Sequence, residues 1–463
     1  MSGKSLARKV PASSGELLPE RELRRIIETV LRLAKSTGAK ETEVYVDETA
    51  ESLTRFANNA IHQNVAERGL NVSVRTVLES RTARATTNRT DEDSLRAAIE
   101  ASLSLAHSQP KDPHLLPLPG KQRYRKVNRF VKDTAALTPE DRARAVRRAC
   151  DLAIQNGQVA AGIFASGLQQ SAMGNSRGLF AAYRETHAEF SITMQENSAA
   201  SWAKANAASV RDFDPQKLAL RASVKAHLAV DARELPPGRY TVILEPSAVL
   251  DLVGFLFYDF AATALEDKRS CLNERMGKQI FGKNITIRDD AYHPLQLGAH
   301  FDGEGMPRQR ILLVDRGVPK NLVYARSSAK AARTKPTGHG FSLPNEYGEA
   351  PMNLVFAGGD SSLEKMIAST DRGLLVTRLW YIREVDPYEK AMTGMTRDGL
   401  FLVEKGKVKS AVRNFRFNQS ILEMLRNVDL LGPAVRATGE ESFEMVVPPM
   451  KVRDFYFSEV TKF

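Results

Sequence analysis

Leu70-Asn71-Val72-Ser73-Val74-Arg75-Thr76-Val77-Leu78 alternates apolar and polar residues, so Leu70, Val72, Val74 and Thr76 fall on one face of an extended chain. That period of two is the mark of a half-buried antiparallel strand. Toward the N-terminus, Glu43-Val44-Tyr45-Val46 repeats the pattern. Before it, Pro19 to Thr37 carries Leu23, Ile26, Ile27, Val30, Leu31 and Leu33 at helical spacing. On the other side, Asp91 to His107 predicts a helix with Asp91 as N-cap and Leu95, Ala98, Ile99, Ser102 and Leu105 as its inner stripe. Residues 1–108 therefore read as a small α+β domain of curled antiparallel sheet and helices.

Pro110, Pro113, Pro117 and Pro119 break the pattern between Ser108 and Arg129 and predict a linker or a surface loop. Residues 109–234 form a middle α+β domain. Its helix from Pro139 to Asn156 opens with Thr138 as N-cap and proline in the first turn. Strand-like runs at Val159–Gln170 and Leu179–Gln195 and a helix at Pro215–Val230 follow. Leu235-Pro236-Pro237-Gly238 marks the next boundary and leads into a strand at Tyr240–Leu244. Residues 235–463 are β-rich, with short runs at Ile311–Val314, Leu374–Leu379, Leu400–Glu404 and Val408–Val412. This spacing suits an antiparallel, barrel-like sheet. The fold class is α+β: N-terminal and middle antiparallel sheet-plus-helix domains, then a β-rich, barrel-like C-terminal domain.

At 463 residues, 42% apolar and 26% charged, the chain has ordinary globular composition. Cys150 and Cys271 are too few for a disulfide framework or a zinc cluster, which points to a reducing, cytoplasmic setting. Met1 to Glu20 lacks the apolar run of a secretory signal. The most apolar segment, Ala248 to Leu265, is interrupted by Asp251 and Asp259, which argues for a buried helix and against a membrane span. The net charge of +11 is spread along the chain among 55 acidic residues, so it does not make a nucleic-acid surface.

Six stretches, in order, carry a family likeness: Val65 to Arg75 (VAERGLNVSVR), Asn175-Ser176-Arg177-Gly178, Leu235 to Tyr240 (LPPGRY), Phe301-Asp302-Gly303-Glu304-Gly305, Thr393 to Phe401 (TGMTRDGLF) and Asn414 to Asn418 (NFRFN). Together they resemble the TldD/PmbA family of zinc-peptidase subunits. The resemblance implies that catalytic members carry an H-E-x-x-x-H helix and a later cysteine as zinc site. Here the corresponding helix is Pro246 to Leu265. No histidine lies between His227 and His293, and no cysteine follows Cys271. Asp251, Tyr258 and Asp259 stand at the degenerate positions, while Asp302, Glu304 and Gly305 form the signature turn. The chain thus looks like the TldE/PmbA-type partner: a non-catalytic subunit with no zinc of its own. The resemblance implies pairing with a TldD-like zinc peptidase, unfolded or short peptides as substrate, and the older name of gyrase modulator. The apolar former zinc helix would suit packing across a subunit interface.

Other constellations have plainer readings. His300, Asp302 and Glu304 alternate as metal ligands on a strand would, but the flanking glycines predict a tight turn. Gly174-Asn175-Ser176-Arg177-Gly178 matches a nucleophile elbow in form, yet a β-like run follows where that motif needs a helix. Cys150 lies among helical arginines and reads as packing. Lys121 to Lys126 mixes basic and aromatic residues and reads as a solvated loop. His187-Ala188-Glu189 is a commonplace strand pair, and Gly338-His339-Gly340 is no phosphate loop. Two alternatives stay open: a stand-alone, self-associating binding protein of the same fold, or an enzyme with a relocated site at His300, Asp302 and Glu304 or at Ser176.

Overall fold

The computed structural model describes residues 17–461; the expectation about a leader at Met1 to Glu20 lies, for residues 1–16, outside them. Helix α1 (Glu20–Ser36) buries Leu23, Ile26, Ile27, Val30 and Leu33 along one stripe. Strands β1 (Glu41–Ala57) and β2 (Ala60–Leu78) are joined at Asn58 and Asn59, both with positive φ (50° and 60°). That conformation gives a tight hairpin turn whose twist matches the strands. After β3 (Arg81–Thr87), α2 (Glu92–Ser108) starts where the Asp91 carboxylate accepts the Ser94 N–H. The short α3 (Lys132–Ala135) leads to α4 (Pro139–Gln155), opened by a reciprocal cap between Thr138 and Asp141. Strands β4 (Val159–Asn175), β5 (Phe180–Glu196) and β6 (Ala199–Ala207) precede α5 (Pro215–Leu228).

The strands of residues 1–108 and 109–234 lie in one sheet, of order β3-β2-β1-β4-β5-β6. The seam is the antiparallel pairing of β1 with β4, from Glu43 opposite Asn175 to Phe56 opposite Gly162. Even-numbered residues of β1 and β4 point to one face, which the helices cover in two patches. Helices α1 and α2 pack over Val44, Val46, Val72, Val74 and Ala172 at one end. Helices α4 and α5 pack over Phe56, Phe164, Phe190 and Ile192 at the other. Each half thus keeps its own core on a shared sheet. Val44, Val46, Val72 and Val74 are fully buried, and each contributes about 1.5–3 kcal/mol. Strand β3 pairs with Val72–Leu78 of β2, so, among the described residues, 60–71 pair with β1 alone.

The remaining chain begins with β7 (Gly238–Leu244) and α6 (Pro246–Val253). The sequence predicts one helix from Pro246 to Leu265, and the structure breaks it. A 3-10 turn occupies Gly254–Phe260, and α7 (Ala262–Glu266) follows. The cause is local. A Cβ at Gly254 would meet the Ser442 side chain at 1.9 Å, so the neighbouring loop sits directly on the backbone. Beyond it, Phe260 and Ala262 exchange backbone hydrogen bonds with Val323, which pulls the chain out of helical geometry. Ala248 to Val253 are wholly buried in this chain's own core, so α6 packs inward, while Phe255, Phe257 and Tyr258 of the following 3-10 turn stay partly exposed.

Short strands β8 (Ile287–Asp289), β9 (Ile311–Asp315), β10 (Val318–Pro319) and β11 (Leu354–Phe356) belong to a second sheet, with helix α8 (Arg326–Ala331) between β10 and β11. Then come β12 (Arg372–Asp386), β13 (Ala391–Glu404), β14 (Lys407–Ala411), β15 (Phe415–Ser420), β16 (Val428–Leu431), β17 (Val435–Ala437), β18 (Met445–Val447) and β19 (Met450–Val460). Four of these strands and β7 close on themselves through the pairings β12-β7-β19-β15-β13-β12. The expected barrel-like sheet is therefore a closed ring. Phe415, Phe417, Phe455 and Phe457 pack together in it, with ring centroids of Phe415 and Phe457 4.9 Å apart. Among the described residues, no helix is long and apolar enough to cross a membrane.

Candidate functional site

Around the broken helix, both conspicuous carboxylates are already engaged. Asp251, on α6, is fully buried: Oδ1 accepts the Glu441 N–H at 3.3 Å, and Oδ2 has no partner among the described residues. Burial pushes its carboxyl up to about 7, partly offset by the Glu441 N–H and reinforced by the Glu441 charge. Asp259 Oδ1 accepts the Cys271 N–H at 2.7 Å. Its Oδ2 lies 2.7 Å from the Lys390 ammonium, an ion pair outside hydrogen-bond geometry, and Glu384 holds the same ammonium at 2.7 Å. Burial works to lower Lys390, but the two carboxylates outweigh it and keep the amine charged. Tyr258 donates its hydroxyl to the Tyr347 carbonyl at 3.0 Å.

This donor set does not fit zinc. The stretch has no imidazole, and the nearby Cys271 thiol is buried and pushed far above its usual range, away from the thiolate that a metal binds. Asp259 faces an internal ammonium where a ligand would need a free oxygen. Among the described residues, no three His, Cys, Asp or Glu side chains converge as a metal's ligands would.

The signature turn is a docking element. Asp302 accepts backbone N–H groups from Glu304 (2.9 Å), Met306 (2.8 Å) and Gly340 (2.8 Å). Glu304 accepts the Arg326 N–H at the start of α8 (2.8 Å), and burial, then the Asp302 charge, push its carboxyl up to about 7. His300 does not join these carboxylates. Its ring packs edge-on against Tyr124, Tyr183 and Phe301. Gly305 has φ +76°, and a Cβ there would lie 2.8 Å from Leu179 Cδ1 and 3.1 Å from Met173 Sδ, side chains buried on the sheet. Gly305→Ala should therefore cost about 1–3 kcal/mol through the unfavourable φ and the crowding. Urea denaturation of the variant measures this.

The other candidates have structural partners. Ser176 lies in the β4–β5 hairpin turn, and its Oγ accepts the Thr42 N–H at 3.1 Å. Tyr124 donates to the Gly305 carbonyl at 2.7 Å, so the aromatic residue of the basic loop is pinned to the signature turn. Cys150 is buried, and burial raises its thiol pKa. His339 is buried between Thr337 and Asp289.

Sequence reasoning passed over a large cavity that gathers ionisable groups. Glu185, His187 and Glu189, at alternate positions of β5, point away from the helices into a 480 Å³ space between the sheet and the C-terminal region. Gln296, Arg436, Phe443 and Glu444 wall its far side. His187 pairs with Glu51 at 3.0 Å; burial opposes its protonation, but Glu51 outweighs burial and raises its pKa. A second space of 400 Å³ is lined by Gly254, Phe255, Phe257 and the segment 440–443. Phe443 borders both.

Comparison with known proteins agrees with this architecture. Residues 237–459 match the model of the PmbA/TldA metallopeptidase C-terminal domain, and residues 42–106 that of PmbA/TldA metallopeptidase domain 1. The metalloprotease PmbA of Escherichia coli O157:H7 is 24% identical over 69% of this chain and 71% of its own length. An uncharacterized protein of Methanocaldococcus jannaschii is 24% identical over 73% of this chain and 80% of its own. The match to a metalloprotease TldD homolog from Buchnera aphidicola (28% identical) spans 45% of this chain and only 43% of that protein. The crystal structure of TldE from Thermococcus kodakarensis superposes with a TM-score of 0.85 over 94% of this chain and 100% of its own, at 21% identity. A Thermotoga maritima protein that carries the name modulator of a DNA gyrase gives 0.83 over 95% and 100%, at 20% identity. With two domain models of one family matching in order, and the same fold from the N-terminal sheet through the closed ring, this chain belongs to the PmbA/TldD family.

Proposed function

We propose that this chain is a non-cutting, TldE-like subunit that pairs with a zinc-bearing TldD-like peptidase and walls a compartment for unfolded or short peptides. The observation that carries the reading is the fate of the former metal helix: it lacks imidazoles, it is broken at Gly254, and its Asp259 is spent on Lys390. Zinc chemistry would then belong to the partner and not to this polypeptide. Support for docking comes from β2, whose residues 60–71 are mostly exposed and, among the described residues, present a backbone edge free of a second strand. Such an edge suits an extended chain, which it would hold by main-chain hydrogen bonds. A cytoplasmic location goes with this reading.

Co-expression with a zinc-bearing homologue tests it. The expected result is a stable heteromer with chelator-sensitive peptide cleavage, and neither zinc nor cleavage in the isolated chain. Stoichiometric zinc with peptide turnover in the isolated chain would overturn the reading, as would failure of the two chains to associate.

A further inference from the structure

The charges around the 480 Å³ cavity do not cancel. Glu189 is paired with Lys204 at 3.3 Å, and His187 with Glu51 at 3.0 Å. Glu185, only 9% exposed, receives two neutral donors on Oε2: the Tyr183 hydroxyl (2.6 Å) and the Gly298 N–H (2.8 Å). No hydrogen bond reaches its Oε1 among the described residues. Across the cavity, Glu444 lies 4.0 Å from Arg436, whose guanidinium also donates to Asn206 at 3.0 Å. Arg436 feels both Glu444 and Glu185, with Arg129 opposing them, and Glu185 also acts on His187. Glu185 and Glu444 thus flank one guanidinium in a partly open cleft, and the Glu185 oxygen that no donor among the described residues reaches favours a further cation.

The neighbouring 400 Å³ space has a different character. Phe255, Phe257 and Phe443 present aromatic surface there, and Phe443 is common to both spaces. An extended peptide crossing Phe443 would place one side chain against the aromatic rings and another beside Glu185. The first space, at 480 Å³, falls within the range of pockets that enclose small ligands, about 300–1,000 Å³.

We propose that the cavity at Glu185 and Glu444 is a subsite for a basic side chain, lysine or arginine, of a bound peptide, with an apolar residue of the same peptide in the adjoining aromatic pocket. This rests on the reading of the chain as a peptide-handling subunit and gives that role a preference for sequence.

Fluorescence anisotropy on the isolated full-length chain provides the test, with a labelled octapeptide containing one phenylalanine and one arginine, and the same peptide with norleucine in place of arginine. The arginine peptide should bind at least about tenfold more tightly, the scale of one charge-assisted contact in a partly desolvated site. Glu185→Gln should shrink that preference to within about twofold, and so should Glu444→Gln, whose more exposed position keeps the test open if the first variant misfolds. Competition by free spermidine at equal charge should be weaker than by unlabelled arginine peptide; equal competition would overturn the peptide assignment. Equal affinity of the wild-type chain for both peptides, or a preference that survives both variants, would sink the subsite. A subsite failure would leave assembly with the zinc-bearing homologue intact, whereas a failed assembly with the arginine preference present would count only against the subunit reading.

Discussion

Replacing Glu43 by alanine should destabilise the protein by about 3–5 kcal/mol, the cost of stranding a buried charge. Glu43 is 1% exposed and receives Arg75 through Nε (3.1 Å) and Nη2 (2.8 Å), and Arg84 through Nη2 (2.7 Å). Arg75 is itself 2% exposed, and its Nη1 already lacks a partner among the described residues. Without the carboxylate, two neighbouring guanidiniums would lose the ion pair that both share. Arg84 also donates to the Leu343 carbonyl at 2.9 Å, so the same loss loosens the seat of the C-terminal region on β3. Urea denaturation reads the effect. A loss below about 1 kcal/mol would show that water reaches the pair. Adding Arg75→Leu to Glu43→Ala should recover part of the stability, because an apolar pair carries no unpaired charge.

The second large effect concerns pH. The Asp251 carboxyl titrates near its ordinary 3.8 when the chain is unfolded and at about 7 when folded. Between those values the unfolded state loses its proton while the folded state keeps it. Stability present at low pH is therefore lost as pH rises from about 4 to about 7, by about 4 kcal/mol if the full difference is realised. Asp251→Asn removes this titration. The variant should show little advantage near pH 4, gain on the wild type as pH is raised to about 7, and gain no more above that. Thermal melts of both proteins across that range check the sign. A stability difference that does not change with pH would show that Asp251 is ionised throughout.

Local chemistry made much of the architecture legible. The Asp91 and Thr138 caps, the apolar stripe of α1 and the alternation in Leu70 to Leu78 each act within a few residues, and each marks an element found in the structure. The join of β1 to β4 was not legible, because pairing partners more than a hundred residues apart leave no local trace. The break at Gly254 was missed for the same reason: an apolar run reads as one helix until Ser442 and Val323 press on it. Asp259 could be read as a degenerate position, but its partner Lys390 is brought in by a distant hairpin. Glu185, His187 and Glu189 left one usable signal, three titratable groups at alternate strand positions. It gains meaning only once Arg436 and Glu444 are seen opposite.

The closed ring also sets an order of events during synthesis. Strand β7 borders β12 on one side and β19 on the other, so the ring has a gap until Met450–Val460 has been made. The six-stranded sheet is complete by Ala207 and asks nothing of those later residues for its own pairings. One half of the molecule is free to fold while the ribosome is still adding the rest. The other cannot complete the packing of Phe415 on Phe457 or of Phe417 on Phe455 until the last strand has been made.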